Sequence, residues 1–201
     1  MSETRHGETP ARQARFAVID FETTGAVTGW PVEPWQVGVV TVCAGRVEPA
    51  GYESLLRVAE DRPFNPRAPG RHGRLRARLA RAPSLPDLWP RLGPVLLAGP
   101  LAGHQVGTER SMLARAAPLH RFGPWVDTLR LVRRAYPRLA SAALEDAVAA
   151  LELEAPLERL CPGRAPHDAL RDAFACALLL AHFLHLPGWQ AITVADLAEG
   201  H

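Results

Sequence analysis

The segment FAVIDFETTG, Phe16 to Gly25, restricts the fold of this chain more than any other stretch. Its apolar run ends in Asp20 and Glu22, one residue apart. Strand side chains alternate between faces, so these two carboxylates share a face. Like charges side by side are costly unless positive charge lies between them, and a divalent cation meets that need. An unbroken apolar strand is buried on both sides, as in the middle of an α/β sheet. Carboxylates at its end point to a ligand site, because open α/β sheets bind ligands at strand ends. Thr23, Thr24 and Gly25 add two hydroxyls and a flexible backbone beside that site.

Other chemistries are excluded by composition. The chain has 23 basic side chains and no lysine, so all are arginine. Lysine-dependent phosphate loops, Schiff-base catalysis and kinase-type sites are therefore absent. The cysteines Cys43, Cys161 and Cys176 are odd in number and form no CxxC, against a disulfide framework or a zinc ribbon. They read as buried small hydrophobes. A net charge of +2 identifies no partner, but Arg62, Arg67, Arg71, Arg74, Arg76, Arg78 and Arg81 crowd one stretch. Such a run reads as a solvated face, with phosphate contact as the alternative. The polar N-terminus does not read as a signal peptide, and no apolar run approaches the ~20 residues that span a bilayer. The expectation is a cytoplasmic protein without a membrane segment. With 201 residues, one domain with a sizeable core fits.

Periodicity supplies a coarse outline. Strands are expected over Arg15–Phe21, Trp35–Cys43, Glu53–Val58 and Pro100–His104, with a last one at Trp125–Val126. Gly25–Pro34 and residues 61–73 read as loops. Helices are expected over Arg74–Arg81, after Ser84, from Thr108 as N-cap, after Asp127 as far as Pro137, and over Ala142–Leu151. The clearest helix follows Pro166 and runs to about Leu186, with Leu170, Ala173, Phe174, Ala177, Leu178 and Ala181 on its core face. Strands first, helices later and a strand between suit a mixed α/β sandwich.

The second chemical motif is HDALRD, His167 to Asp172. Five helical residues turn a side chain by about 140°, so the two ends of the motif share no face within one helix. They converge if His167 stands just before the helix and Asp172 within it, a boundary that Pro166 favours. The plain alternative is a capped helix with a solvated aspartate.

Taken together, FAVIDFETTG, the histidine-led GHQVGTERSML, VDTLRLVRRAYP and HDALRDAFACALLL resemble the DEDDh 3′–5′ exonucleases, a family that includes a proofreading polymerase subunit, RNase T and oligoribonuclease. RHGRL, Arg71 to Leu75, resembles the family's His-Gly segment. The resemblance implies a ribonuclease H-like α/β fold: a mixed five-stranded sheet flanked by helices on both faces. Residues 1–14 read as a disordered tail, with 15–190 expected as the exonuclease domain and 191–201 as a C-terminal extension. By position, Asp20, Glu22 and Asp172 match metal ligands, and His167 matches the general base; an ordinary imidazole pKa of ~6.5 suits that task at neutral pH. Thr23 matches a position lining the 3′-terminal nucleotide, with Thr24, Gly25 and His104 beside it, and Asp127 begins a helix. Where the family reads His-Asn-x-x-Phe-Asp, this chain has His104, Gln105, Val106, Gly107, Thr108 and Glu109. Glu109 thus stands in for an aspartate, as a longer catalytic ligand or as a favourable charge at a helix N-terminus.

The implied function is a two-metal-ion 3′–5′ exonuclease that hydrolyses single-stranded nucleic acid, DNA before RNA, to nucleoside 5′-monophosphates. Its cofactors are two divalent metal ions, Mg²⁺ or Mn²⁺, which prefer oxygen ligands. Its partners are single-stranded 3′ ends and, by family, a DNA polymerase or other replication or repair protein. Phe21, Trp30 and Trp35 are available for base stacking, with core packing as the alternative. The alternative functions are a degenerate nuclease fold that binds nucleic acid or protein without cutting, and an unrelated metal-dependent phosphoesterase.

Overall fold

The computed structural model describes residues 9–199. Strands β1 (Arg15–Thr23), β2 (Pro34–Cys43), β3 (Arg46–Leu55), β4 (Leu101–Gly103) and β5 (Trp125–Asp127) form one sheet in the order β3-β2-β1-β4-β5. The first three pair antiparallel; β1–β4 and β4–β5 are parallel. The expected mixed five-stranded sheet is therefore present. β1 lies at its centre, and its alternate residues enter two cores. Phe16 and Val18 join one core, while Ala17, Ile19 and Phe21 join the other. Burial on both faces is why this strand carries no alternation of polar and apolar residues.

The helices are α1 (His72–Leu79), α2 (Trp89–Leu96), α3 (Gly107–Ala116), α4 (Thr128–Ala135), α5 (Leu144–Ala150), α6 (Glu154–Leu160), α7 (Ala169–Leu184) and α8 (Val194–Glu199). α2 and α3 cover one face of the sheet through Leu92, Leu96, Met112 and Leu113. α7 crosses the other face, and α4, α5 and α6 pack against it. No helix among the described residues is long and apolar enough to cross a membrane.

Several local expectations change. The third strand starts at Arg46, ahead of the expected Glu53, and stops at Leu55. It is an edge strand, and its Pro49 and Gly51 hide it from pattern reading. A two-residue turn, Ala44-Gly45, joins it to β2 with φ of 50° and 73°, the backbone of a twisted hairpin. Val106, not Thr108, occupies the cap position of α3, and no side chain caps it. α6 was not anticipated, because its ELEAPLERL context contains a proline. α7 is buried on nearly all sides: Leu179, Leu180 and Phe183 are as deep as the expected stripe, while Leu178 and Ala181 are only half-buried. A helix layered between a sheet and other helices has no solvent face to reveal a period.

The expected tail and extension also differ. From Thr9 onward the N-terminal segment is clasped to the C-terminal one: Ala11 N–H donates to Ile192 O at 2.8 Å and Val194 N–H to Thr9 O at 3.1 Å. Ala11, Ala14, Val194 and Leu197 are buried in the α7 core. The parts of those expectations covering residues 1–8 and 200–201 lie outside the described residues.

One contact sets the site. Gly38 of β2 pairs with Asp20 of β1, and the first turn of α7 rests on it. A Cβ at this position would stand 2.1 Å from Ala169 O and 2.5 Å from Leu170 N. Because those neighbours are backbone, Gly38→Ala is expected to cost about 3 kcal/mol. That corresponds to a drop in Tm of about 6–12 °C, readable by calorimetry. An unchanged Tm would mean that the helix does not seat on the sheet here.

Candidate active site

Asp20 and Glu22 occupy the even-numbered face of β1, the face that α7 covers, at the strand's C-terminal end. Asp168 caps α7, accepting from Arg171 N–H at 3.4 Å. One turn later Asp172 reaches back to the sheet. His167 precedes the cap in the left-handed region, φ 62°. Its N–H donates to Asp172 Oδ2 at 3.0 Å. The expected convergence across the helix boundary is thus present: ligand atoms of Glu22, His167 and Asp172 lie within 4.8 Å of one another. Asp20 and Glu109 are outside that trio but line the same cavity, of about 460 Å³. Phe21, Thr23, Gly25, Ala68 and Pro69 form part of its wall.

Burial raises all four carboxylates, and repulsion within the cluster adds to it at Asp20 and Glu22. Burial, followed by repulsion from Asp172, Glu109 and Glu22, pushes Asp20 well above the usual carboxylate range. Burial and then Asp172 lift Glu22 to about 8. Burial lifts Glu109 to about 7. Asp172 is raised by burial to about 6, with Arg171 pulling the other way. Glu109 is 4% exposed and its Oε2 has no hydrogen-bond partner. An acidic cluster with an unpartnered buried oxygen fits a hard divalent cation, which takes oxygen ligands and supplies the missing charge. Glu109 sits in the first turn of α3, so both readings of its position are geometrically satisfied.

Other expected site residues are used differently. Thr24 is fully buried and away from the cavity; its hydroxyl oxygen accepts from Glu33 N–H and from Arg62 Nη2, each at 3.1 Å. It holds a loop and is not positioned to touch a ligand. His104 lines the cavity, but its Nε2 donates to Ala142 O at 2.9 Å and its Nδ1 meets the Thr128 hydroxyl at 2.9 Å. Burial lowers its pKa, and both ring nitrogens are taken up by these contacts. Trp35 is fully buried and donates to Thr23 O at 3.1 Å, so it does not stack on a ligand. Trp30 is 45% exposed. Asp127 caps α4, accepting from Leu129 N–H at 3.0 Å. The arginine run is not one solvated face: Arg62 is 1% exposed, Arg71 pairs with Asp168, and Arg76 lies over Phe64.

Two supporting arrangements had no signal in the sequence. Arg171 donates to both Glu145 carboxylate oxygens, at 2.5 and 2.7 Å, and to Asp172 Oδ1 at 3.0 Å. Arg164 joins Glu53 of β3 to Asp168. Glu145 lies 26 positions from Arg171 and Glu53 lies 111 from Arg164, beyond any local pattern.

A family model described as exonuclease, RNase T, matches residues 17–180. Among curated proteins none matches the sequence. Among solved structures, exonuclease X in complex with 5′-overhanging duplex DNA is 26% identical, with a TM-score of 0.68 over 91% of this chain and 99% of that one. Exonuclease I of E. coli in complex with a dT13 oligonucleotide is 15% identical, with a TM-score of 0.64 over 86% of this chain and 41% of that one. Its zinc-bound complex with single-stranded DNA is 17% identical, with a TM-score of 0.63. The chain spans about two fifths of those exonuclease I chains.

Proposed function

The chain belongs to the RNase T exonuclease family, and from that premise we propose that it removes nucleoside 5′-monophosphates from single-stranded 3′ ends, using two divalent metal ions, Mg²⁺ or Mn²⁺. The observation that carries this reading is the meeting of Glu22, His167 and Asp172 in one cavity with Asp20 and Glu109. Asp20, Glu22, Glu109 and Asp172 supply the oxygen ligands. Divalent ions held by these carboxylates would supply positive charge to the phosphoryl and departing 3′ oxygens and would lower the pKa of a bound water. His167 is exposed at the mouth and takes the proton from the attacking water. Arg171 holds Asp172 in place while Glu145 balances part of the arginine's charge. Thr23 and Gly25 form the wall for the terminal nucleotide. DNA is the favoured polymer, supported by the DNA complexes of exonuclease X and exonuclease I.

The test uses single strands of DNA and RNA labelled at either end, and a duplex with a recessed 3′ end. Each is incubated with Mn²⁺, Mg²⁺ or chelator. The expected result is a ladder from the 5′-labelled strand, labelled mononucleotide from the 3′-labelled one, and nothing in chelator. Binding without metal-dependent cleavage would favour a degenerate nuclease. Phosphate release from small esters alone would favour a phosphoesterase.

A further inference from the structure

Arg62 is a buried cation that the chemistry above does not use. It is 1% exposed, and it lies at the junction of two segments that wall the cavity. Its Nη2 donates to Thr24 Oγ1 at 3.1 Å and to Pro31 O, and its Nη1 donates to Pro63 O. Its own carbonyl accepts from Arg76 Nη2 of α1 at 2.7 Å. The guanidinium carbon lies 5.1 Å from the ring centre of Trp30. Nε has no hydrogen-bond partner, and the nearest anion is Glu33 Oε1 at 3.7 Å. One side chain therefore ties the end of β1, the β1–β2 loop and the stretch that leads to Ala68 and Pro69.

Burying a guanidinium costs several kcal/mol unless its donors are met. A loop that needed only stability would be served as well by an apolar side chain. What arginine adds is direction, since its planar fork fixes several acceptors in one geometry. Here the acceptors are Thr24, Pro31 and Pro63. A second link runs in parallel: Asn65 N–H donates to Thr24 O at 2.8 Å and Asn65 Nδ2 to Ala26 O at 2.9 Å. Gly25, Thr23, Ala68 and Pro69, which line the same cavity as the carboxylates, adjoin this junction.

We propose that Arg62 is a positioning residue for substrate: it sets the wall of Thr23, Gly25, Ala68 and Pro69 against which the 3′ end of a polynucleotide lies, without touching that polynucleotide or the metal ligands. This rests on the exonuclease reading. Loss of Arg62 then weakens the grip on a strand and leaves the metal site intact.

The test compares wild type with Arg62→Lys, Arg62→Met and Thr24→Val. Thr24→Val removes the shared acceptor while keeping volume, and it carries the test if the arginine variants do not fold. Readouts are kcat and KM on a 5′-labelled single strand, kcat and KM on the p-nitrophenyl ester of thymidine 5′-monophosphate, Mn²⁺ affinity by calorimetry, and oligonucleotide affinity by anisotropy with Ca²⁺. For Arg62→Met, KM on the strand and the anisotropy Kd rise about tenfold, with kcat and Mn²⁺ affinity within about threefold of wild type. Arg62→Lys recovers part of the loss, and Thr24→Val shows a smaller rise of the same kind. The small ester is less affected than the strand. Unchanged KM and Kd, or a loss of kcat alone, would overturn the proposal. If wild type hydrolyses neither substrate, the exonuclease reading fails, and the anisotropy series still decides whether Arg62 governs strand binding.

Discussion

Glu22→Gln is expected to lower kcat about a thousandfold or more and, in chelator at pH 8, to make the protein more heat-stable. The activity loss follows from the proposed function, in which Glu22 would be one of the anionic ligands of the ions. The stability gain follows from linkage. Glu22 titrates at about 8 in the folded protein, against an ordinary value of 4.5, because burial and Asp172 disfavour its charge. Between those two values the folded chain holds a proton that the unfolded chain has released. The Glu22 contribution to stability is therefore greatest below about pH 4.5 and is lost as pH rises toward 8. The whole rise corresponds to roughly 5 kcal/mol at most. Glutamine is neutral at every pH and avoids that loss. Calorimetry in chelator should show the variant melting at least about 5 °C above wild type at pH 8, and close to it at pH 4.5. Mn²⁺ should reverse the order by stabilising wild type alone. A variant less stable than wild type in chelator at pH 8 would mean that burial and Asp172 do not disfavour the charge on Glu22.

His167→Ala should lower kcat by about 10²–10⁴. Mn²⁺ affinity should stay within a few-fold of wild type if the imidazole acts only as a base. The distances leave a second role open to test, since His167 offers an atom within 4.8 Å of Glu22 and Asp172 oxygens. A tenfold weaker Mn²⁺ affinity would make it a ligand. His167→Asn separates side-chain from backbone effects, because asparagine tolerates the left-handed φ of 62° that this position adopts. If both variants keep full activity, another group takes the proton.

Much of the fold and the site was legible because it is written in short, local patterns. β1 announced itself through an apolar run that only a doubly covered strand tolerates, and Asp20 with Glu22 marked the end that reaches the cavity. HDALRD was legible only with the helix boundary inserted between His167 and Asp172; a pure period would have separated them. The edge strand β3 was misplaced because Pro49 and Gly51 interrupt its pattern and its partner lies on one side only. Thr24 looked like a ligand-facing hydroxyl from its neighbours Thr23 and Gly25, yet its partner Arg62 is 38 positions away. Arg62 itself was lost among six other arginines, since sequence spacing does not distinguish a buried cation from a solvated one. Clasping of residues 9–11 to 192–194 is likewise a long-range pairing, without local signal.

The seat of α7 on Gly38 bears on how this centre tolerates change. Peptide group meets peptide group there, so the gap between the strand's acids and the helix's acid is gauged by main chain and not by the bulk of surrounding side chains. Aliphatic residues in either core can drift, one methylene traded for another, while the cage keeps its dimensions. A single methyl at position 38 acts instead as a shim, widening the cage before it loosens anything else.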